Sequence, residues 1–168
     1  QSYLPAHGFA RTREFHFEGS EMRGDNVVAE LSLSSSADTL PLFPHSFKAR
    51  LRLTIGRELS VAFEVENAGA EAFDYELALH TYLSVSDVRS VQVSGLGDAV
   101  YDDKVSGERA LRQGREPLRF VGETDRVYDS SARVTVLDVA RKRRLVVDKT
   151  CSATTVVWNP WIDKAQRM

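Results

Sequence analysis

Arg50-Leu51-Arg52-Leu53-Thr54-Ile55 alternates strictly between polar and aliphatic side chains. After Gly56-Arg57 the pattern resumes, with Leu59, Val61, Phe63 and Val65 set against Ser60, Ala62, Glu64 and Glu66. A period of two sends successive side chains to opposite faces of an extended chain, so each run has one apolar and one wet face. The two runs read as adjacent strands joined at Gly56-Arg57.

Working outward from this pair, the same period predicts strands at Glu14 to Phe17, Val27 to Leu33, Val88 to Val93, Leu118 to Val121, Val134 to Leu137, Leu145 to Val147 and Thr154 to Trp158. Clusters of Gly, Asp, Asn and Ser separate them at fairly regular spacing, and no segment offers an amphipathic helix. Ser34 to Pro44 is Ser-rich and then Leu-Pro-Leu-Phe-Pro, which predicts a loop with one helical turn. Many short strands with turn signals make the chain an all-β sandwich with large, curved sheets. No repeat or linker divides it, so residues 1–168 are read as a single domain.

The chain has 168 residues, 42% hydrophobic and 27% charged, enough to bury a core. No apolar run approaches the roughly 18 residues of a membrane span. A net charge of -2 gives no electrostatic reason to bind nucleic acid or an anionic membrane. One cysteine, Cys151, excludes an internal disulfide and fits a reducing, cytoplasmic setting. The chain starts at Gln1 with no signal-peptide pattern and stops at Met168 shortly after Trp158-Asn159-Pro160-Trp161, which reads as a chain cut at both ends.

Ala78-Leu79-His80-Thr81-Tyr82-Leu83-Ser84-Val85-Ser86 places an imidazole partway along a further predicted strand. Alternation puts His80 on one face with Asp74, Glu76, Ala78 and Tyr82, and Phe73, Tyr75, Leu77, Leu79 and Leu83 on the other. A histidine on the polar face of a strand can be rigidly held and still meet a ligand, where an acid-base group is useful.

Other motifs carry little. His7, His16, His45 and His80 are far apart, with no His-Glu-x-x-His or Cys-x-x-Cys spacing, so no metal site is expected. Ser94-Gly95-Leu96-Gly97-Asp98 has two glycines of a dinucleotide fingerprint but lacks the third, and reads as a turn. Arg141-Lys142-Arg143-Arg144 lies between two short strands and reads as a solvated hairpin tip.

Four polar motifs remain: Pro5-Ala6-His7-Gly8-Phe9-Ala10-Arg11, the strand with His80, Gly122-Glu123-Thr124-Asp125-Arg126-Val127-Tyr128, and Trp158-Asn159-Pro160-Trp161. Singly, each has a bland explanation. His7 before Gly8 makes a turn, Arg11 is a surface residue, and His80 is a satisfied structural histidine. Asp125 is a turn residue bonded to local amides or paired with Arg126, and the tryptophans are core.

Together with Phe43-Pro44-His45-Ser46-Phe47 and Val93-Ser94-Gly95-Leu96-Gly97-Asp98-Ala99-Val100-Tyr101-Asp102-Asp103-Lys104, these motifs occur in an order and spacing that resembles the hexose-6-phosphate mutarotases. These are the glucose-6-phosphate 1-epimerases of the aldose 1-epimerase superfamily. The resemblance implies a β-supersandwich, the galactose mutarotase-like fold, incomplete at both ends. It also implies interconversion of the α and β anomers of a hexose 6-phosphate, glucose 6-phosphate above all, by ring opening and reclosure without a cofactor.

That reaction needs one group to take the anomeric hydroxyl proton and one to give a proton to the ring oxygen. The resemblance implies that His80 is the acid and that Asp125, Arg11 and His7 hold substrate. A carboxylate at Asp125 suits sugar hydroxyls, and a planar guanidinium at Arg11 suits phosphate. Ala6 stands where relatives often carry a polar residue. The family's glutamate base comes from a strand beyond the Trp-Asn-Pro-Trp motif, and Glu64, Glu76 and Glu123 do not match it. The 168 residues alone are therefore expected to be poorly stable and nearly inactive. The alternative reading is a non-catalytic carbohydrate-binding β-sandwich in which His80 only hydrogen-bonds a sugar.

Overall fold

The computed structural model describes residues 7–168, so Pro5 and Ala6 of the first motif lie outside the described residues. The chain divides into two compact units, 1–79 and 80–168.

In the first unit, the alternating runs form an antiparallel meander of four strands in sequential order. They are β1 (His16–Arg23), β2 (Asn26–Ser34), β3 (Phe47–Ile55) and β4 (Leu59–Asn67). β3 and β4 pair from Phe47↔Asn67 to Ile55↔Leu59, so the predicted turn is a three-residue loop at 56–58. Directly paired residues share a face. Leu51, Leu53 and Ile55 therefore align with Leu31, Ala29 and Val27 on one side and with Phe63, Val61 and Leu59 on the other. The opposite face carries an ion-pair ladder: Arg52 lies 2.7 Å from Glu30 and 3.7 Å from Glu64, and Arg50 lies 2.9 Å from Glu66. The hydrogen bond from Arg52 holds the Glu30 carboxyl below its ordinary pKa.

β1 begins two residues later than its predicted start and runs to Arg23, because β2 pairs with it from His16 to Arg23 except at an irregularity between Phe17 and Gly19. The loop before β3 contains the expected turn of helix, with Leu40 N–H bonded to Ser36 and Phe43 N–H bonded to Thr39.

The second unit holds two four-stranded antiparallel sheets. Its strands are β5 (Gln92–Ser94), β6 (Val100–Asp103), β7 (Leu111–Arg112), β8 (Leu118–Arg119), β9 (Thr124–Asp129), β10 (Val134–Asp138), β11 (Arg143–Val147) and β12 (Thr154–Asn159). One sheet has the order β11-β10-β5-β8 and the other β12-β9-β6-β7. Val93, Leu118, Val134 and Val136 of the first sheet join Tyr128 of the second, with Val91, Leu96 and Phe120, in one buried cluster. Val157, Tyr101, Leu145 and Trp161 pack against it.

Sequence periodicity misses β6, β7 and β9. β9 reads Thr-Asp-Arg-Val-Tyr-Asp, too polar to signal a strand, yet it is central and paired on both sides by β12 and β6. The short helix α1 (Trp161–Ala165) is also unannounced, since five residues are too few to show a 3.6-residue period. At Ser94-Gly95-Leu96-Gly97-Asp98 the chain turns as expected.

The predicted strand through His80 is corrected. Residues 72–85 pair in no ladder among the described residues. A period of two marks a chain with two different sides, whereas a strand also needs a neighbour for its backbone groups.

Candidate functional site

His7 and Arg11 lie in the first unit. His7 takes the left-handed conformation at φ 63°, followed by Gly8 at φ 71°, so the His-Gly turn is real. Arg11 is exposed within a 3₁₀ turn, Ala10–Thr12. That turn is held down by Phe9, whose ring centroid lies 6.2 Å from Phe43 and 6.0 Å from Phe47. His45 belongs to the same aromatic cluster, 4.8 Å from Phe43 and 5.1 Å from Phe73, which gives the Phe-Pro-His-Ser-Phe motif a packing role.

His80 and Asp125 lie in the second unit. Asp125 is in β9, directly opposite Trp158 of β12. The register gives each face of this sheet its occupants. Arg126, Tyr128, Tyr101 and Asp103 share the core side with Val157, while Asp125, Val127 and Trp158 share the other.

Two bland readings of Asp125 are thereby corrected. It is a strand residue, not a turn residue, and it does not pair with Arg126. On the core side, Arg126 lies 3.3 Å from Asp103 and stacks 4.8 Å above the Tyr101 ring. Tyr128 donates a 2.9 Å hydrogen bond to Gln113 Oε1. Burial pushes the Asp103 carboxyl up, but the N–H groups of Ser106 and Val105 together with Arg126 outweigh it, leaving the group below its ordinary pKa. Burial raises the Tyr128 phenol.

The His80 segment reaches the Asp125 side of this sheet through aromatic contact. Tyr82 meets Trp158 edge to face, with ring centroids 6.3 Å apart. Two residues of extended chain span at most about 7 Å, so the His80 backbone lies within that distance of Tyr82. His80, Tyr82 and Asp125 are all accessible, His80 and Tyr82 being exposed and Asp125 half-buried.

Farther along, side chains of the β10–β11 hairpin grip the same segment. Asp138, fully buried, accepts the Ser86 N–H at 3.0 Å on Oδ2 and the Ser86 hydroxyl at 2.6 Å on Oδ1. Arg141 donates to the Ser84 carbonyl at 3.3 Å and to its hydroxyl at 3.0 Å, and Arg143 also donates to that carbonyl. The hydrogen bond from the Ser86 hydroxyl, opposed by burial, is the main cause that lowers the Asp138 carboxyl below its ordinary pKa.

Arg141 and Lys142 form the expected hairpin tip, whereas Arg143 and Arg144 open β11, and Arg141 and Arg143 are not merely solvated. Their targets lie 57 and 59 residues earlier, a separation that no local pattern connects. The signal available in the sequence was the excess of charge beside Asp138, more than a tight turn needs.

A family model described as Aldose 1-epimerase matches residues 1–168. The chain belongs to the aldose 1-epimerase family. This aldose 1-epimerase family chain is 31% identical over 175 residues to a Cenchrus ciliaris protein named "Putative glucose-6-phosphate 1-epimerase", covering 98% of the chain and 53% of the relative. An Escherichia coli (strain K12) protein of the same name is 34% identical over 163 residues, covering 95% of the chain and 53% of the relative. The crystal structure of a "putative mutarotase" from Salmonella typhimurium matches with a TM-score of 0.81 at 29% identity, covering 95% of this chain and 53% of that one.

A galactose mutarotase-like protein from Clostridium acetobutylicum shares the fold, with a TM-score of 0.65 at 16% identity over 91% of this chain and 54% of that one. The expected galactose mutarotase-like, almost all-β architecture is the one observed. The aldose 1-epimerase family chain spans about half the length of the curated relatives it matches. Among the described residues, no helix is long and apolar enough to cross a membrane.

Proposed function

We propose that this chain contributes the acid and the substrate ligands of a hexose-6-phosphate 1-epimerase, with His80 protonating the sugar ring oxygen as the ring opens. The observation that carries this reading is the run of contacts from Tyr82 to Trp158 to Asp125, which brings the histidine segment to the face of the sheet that holds an accessible carboxylate. An imidazole suits the task because it can give a proton in one half-reaction and take one back in the other.

Asp125 accepts hydrogen bonds from sugar hydroxyls in this scheme. Arg11 and His7 are the further substrate ligands, with Arg11 suited to the phosphate. Family membership and the names of the relatives support the reaction class and the sugar phosphate.

The proton of the anomeric hydroxyl goes to a base, which we do not assign within the chain. Glu123 is bound by Lys164 at 2.6 Å, and Glu64 lies between Arg50 and Arg52. Both are committed to ion pairs. We assign the base to a glutamate following Met168.

Exchange NMR of the glucose 6-phosphate anomers tests the proposal, using the 168 residues and the polypeptide read on past Met168. The longer protein should equilibrate the anomers well above the spontaneous rate, and His80→Ala should lower that rate by about 10² to 10⁴. Binding without exchange in the longer protein would favour the carbohydrate-binding alternative. Faster turnover of free glucose or galactose than of glucose 6-phosphate would remove the phosphate from the proposal.

A further inference from the structure

We infer that Ser84 and Ser86, gripped by Asp138, Arg141 and Arg143, are positioning residues that hold the His80 segment in place. This inference rests on the proposed role of His80 and adds the means by which the imidazole is fixed.

A catalytic or ligand-binding imidazole must be held to within a fraction of an ångström, and a strand normally achieves this through its ladder. Residues 72–85 have no ladder among the described residues, and the β10–β11 hairpin supplies side-chain contacts to this segment. The described contacts fall on every second residue: Tyr82 against Trp158, Ser84 against Arg141 and Arg143, and Ser86 against Asp138. A spacing of two is what an extended chain makes with one surface. Val85, of the opposite parity, packs against the hydrophobic cluster.

The grip is built rather than incidental. Asp138 has no exposed surface, and its two oxygens take the N–H and the hydroxyl of a single residue, Ser86. Arg143 Nε lies 3.6 Å from Asp138 and is buried without a hydrogen-bond partner, so its charge is spent on neutralising that carboxylate while its terminal nitrogen reaches Ser84. One carboxylate and two guanidiniums on a hairpin closed by the turn 139–142 thus fix Ser84 and Ser86. Hydrogen bonds to charged groups are the stronger kind, as an anchor requires.

The test uses the polypeptide read on past Met168, its Ser86→Ala and Ser86→Thr variants, and Arg133→Ala as a control that touches only the exposed Arg133–Asp148 pair. Ring carbon-proton NMR signals of His80 and amide hydrogen exchange at 81–86 are read on each, with glucose 6-phosphate as the probe ligand. Ser86→Ala should shift and broaden the His80 ring signals and speed exchange at 81–86 by about tenfold, and Ser86→Thr should restore both. The control should change neither. Unchanged His80 signals and exchange in Ser86→Ala would overturn the inference. If glucose 6-phosphate leaves His80 unperturbed in the unaltered chain, the proposed function fails, while the ring signals and exchange rates still decide whether the grip exists.

Discussion

Ser86 gives both its backbone N–H and its hydroxyl to the two carboxylate oxygens of buried Asp138, 52 residues further along the chain. This long-range fork joins a segment without a ladder among the described residues to the end of β10, an inner strand of its sheet. It also makes the segment depend on ionisation. The Asp138 carboxyl is held below its ordinary pKa, chiefly by the Ser86 hydroxyl against the opposing effect of burial, so its folded pKa is lower than its unfolded one.

The resulting stability is present above the unfolded pKa of about 4 and is lost as pH falls through the folded value. Asp138→Asn cannot ionise and should be less stable than the unaltered protein at pH 7. The gap should narrow as pH falls below about 4. Urea midpoints of both proteins between pH 7 and pH 3 check this, and a gap that stays constant would show that the charge of Asp138 is irrelevant.

Gly95 sits at φ +101°, and a Cβ built there would lie 2.1 Å from the carbonyl oxygen of Arg133. That oxygen is backbone just before β10, so it cannot swing away as a side chain would. Gly95→Ala should cost about 2 kcal/mol or more, through the disfavoured conformation and the displaced strand together. Equilibrium unfolding of the variant checks the figure. A loss below about 0.5 kcal/mol would mean that the approach relaxes freely.

The fold was legible wherever alternation coincided with burial on one face. Leu51, Leu53 and Ile55 point one way and Arg50 and Arg52 the other, and the register of β2, β3 and β4 follows. Legibility failed at β9, where Asp125, Arg126 and Asp129 hide a central strand, and where Arg126 finds its partner Asp103 far away in sequence. It failed in the opposite sense around His80, where Leu77, Leu79 and Leu83 alternate without a strand to pair with. Among the candidate site residues, the His7 turn was readable from Gly8, whereas the attachment of Ser84 and Ser86 to the β10–β11 hairpin was not. Side-chain hydrogen bonds over more than 50 residues leave no periodic trace.

Tyr128 is fully buried, and its hydroxyl donates to Gln113, which also lies 3.5 Å from Arg126. Tyr128→Phe keeps the ring and its 5.0 Å contact with Tyr101 but leaves Gln113 short of a donor. A loss of about 1 to 2 kcal/mol is expected. Because this network occupies the core side of β9, binding of glucose 6-phosphate should be unchanged once the protein is folded. Urea unfolding paired with calorimetric titration separates the two quantities.

Asp125 presents the converse case. Its backbone carbonyl accepts the Lys104 N–H at 2.7 Å, but its carboxylate has no hydrogen-bond partner among the described residues. Asp125→Asn keeps the size and removes the charge, so the unfolding midpoint should hardly move. If the carboxylate receives sugar hydroxyls, the variant should bind glucose 6-phosphate about tenfold more weakly, the difference between charged and neutral acceptors.

Trp158→Ala, across the ladder from Asp125, should weaken binding as well, because it removes the ring against which Tyr82 rests and so loosens the His80 segment. Trp158→Phe should recover most of that loss, since an aromatic edge remains. Isothermal titration of the three variants decides between a ligand-facing carboxylate and a merely exposed one: undiminished affinity in Asp125→Asn would remove it from the site.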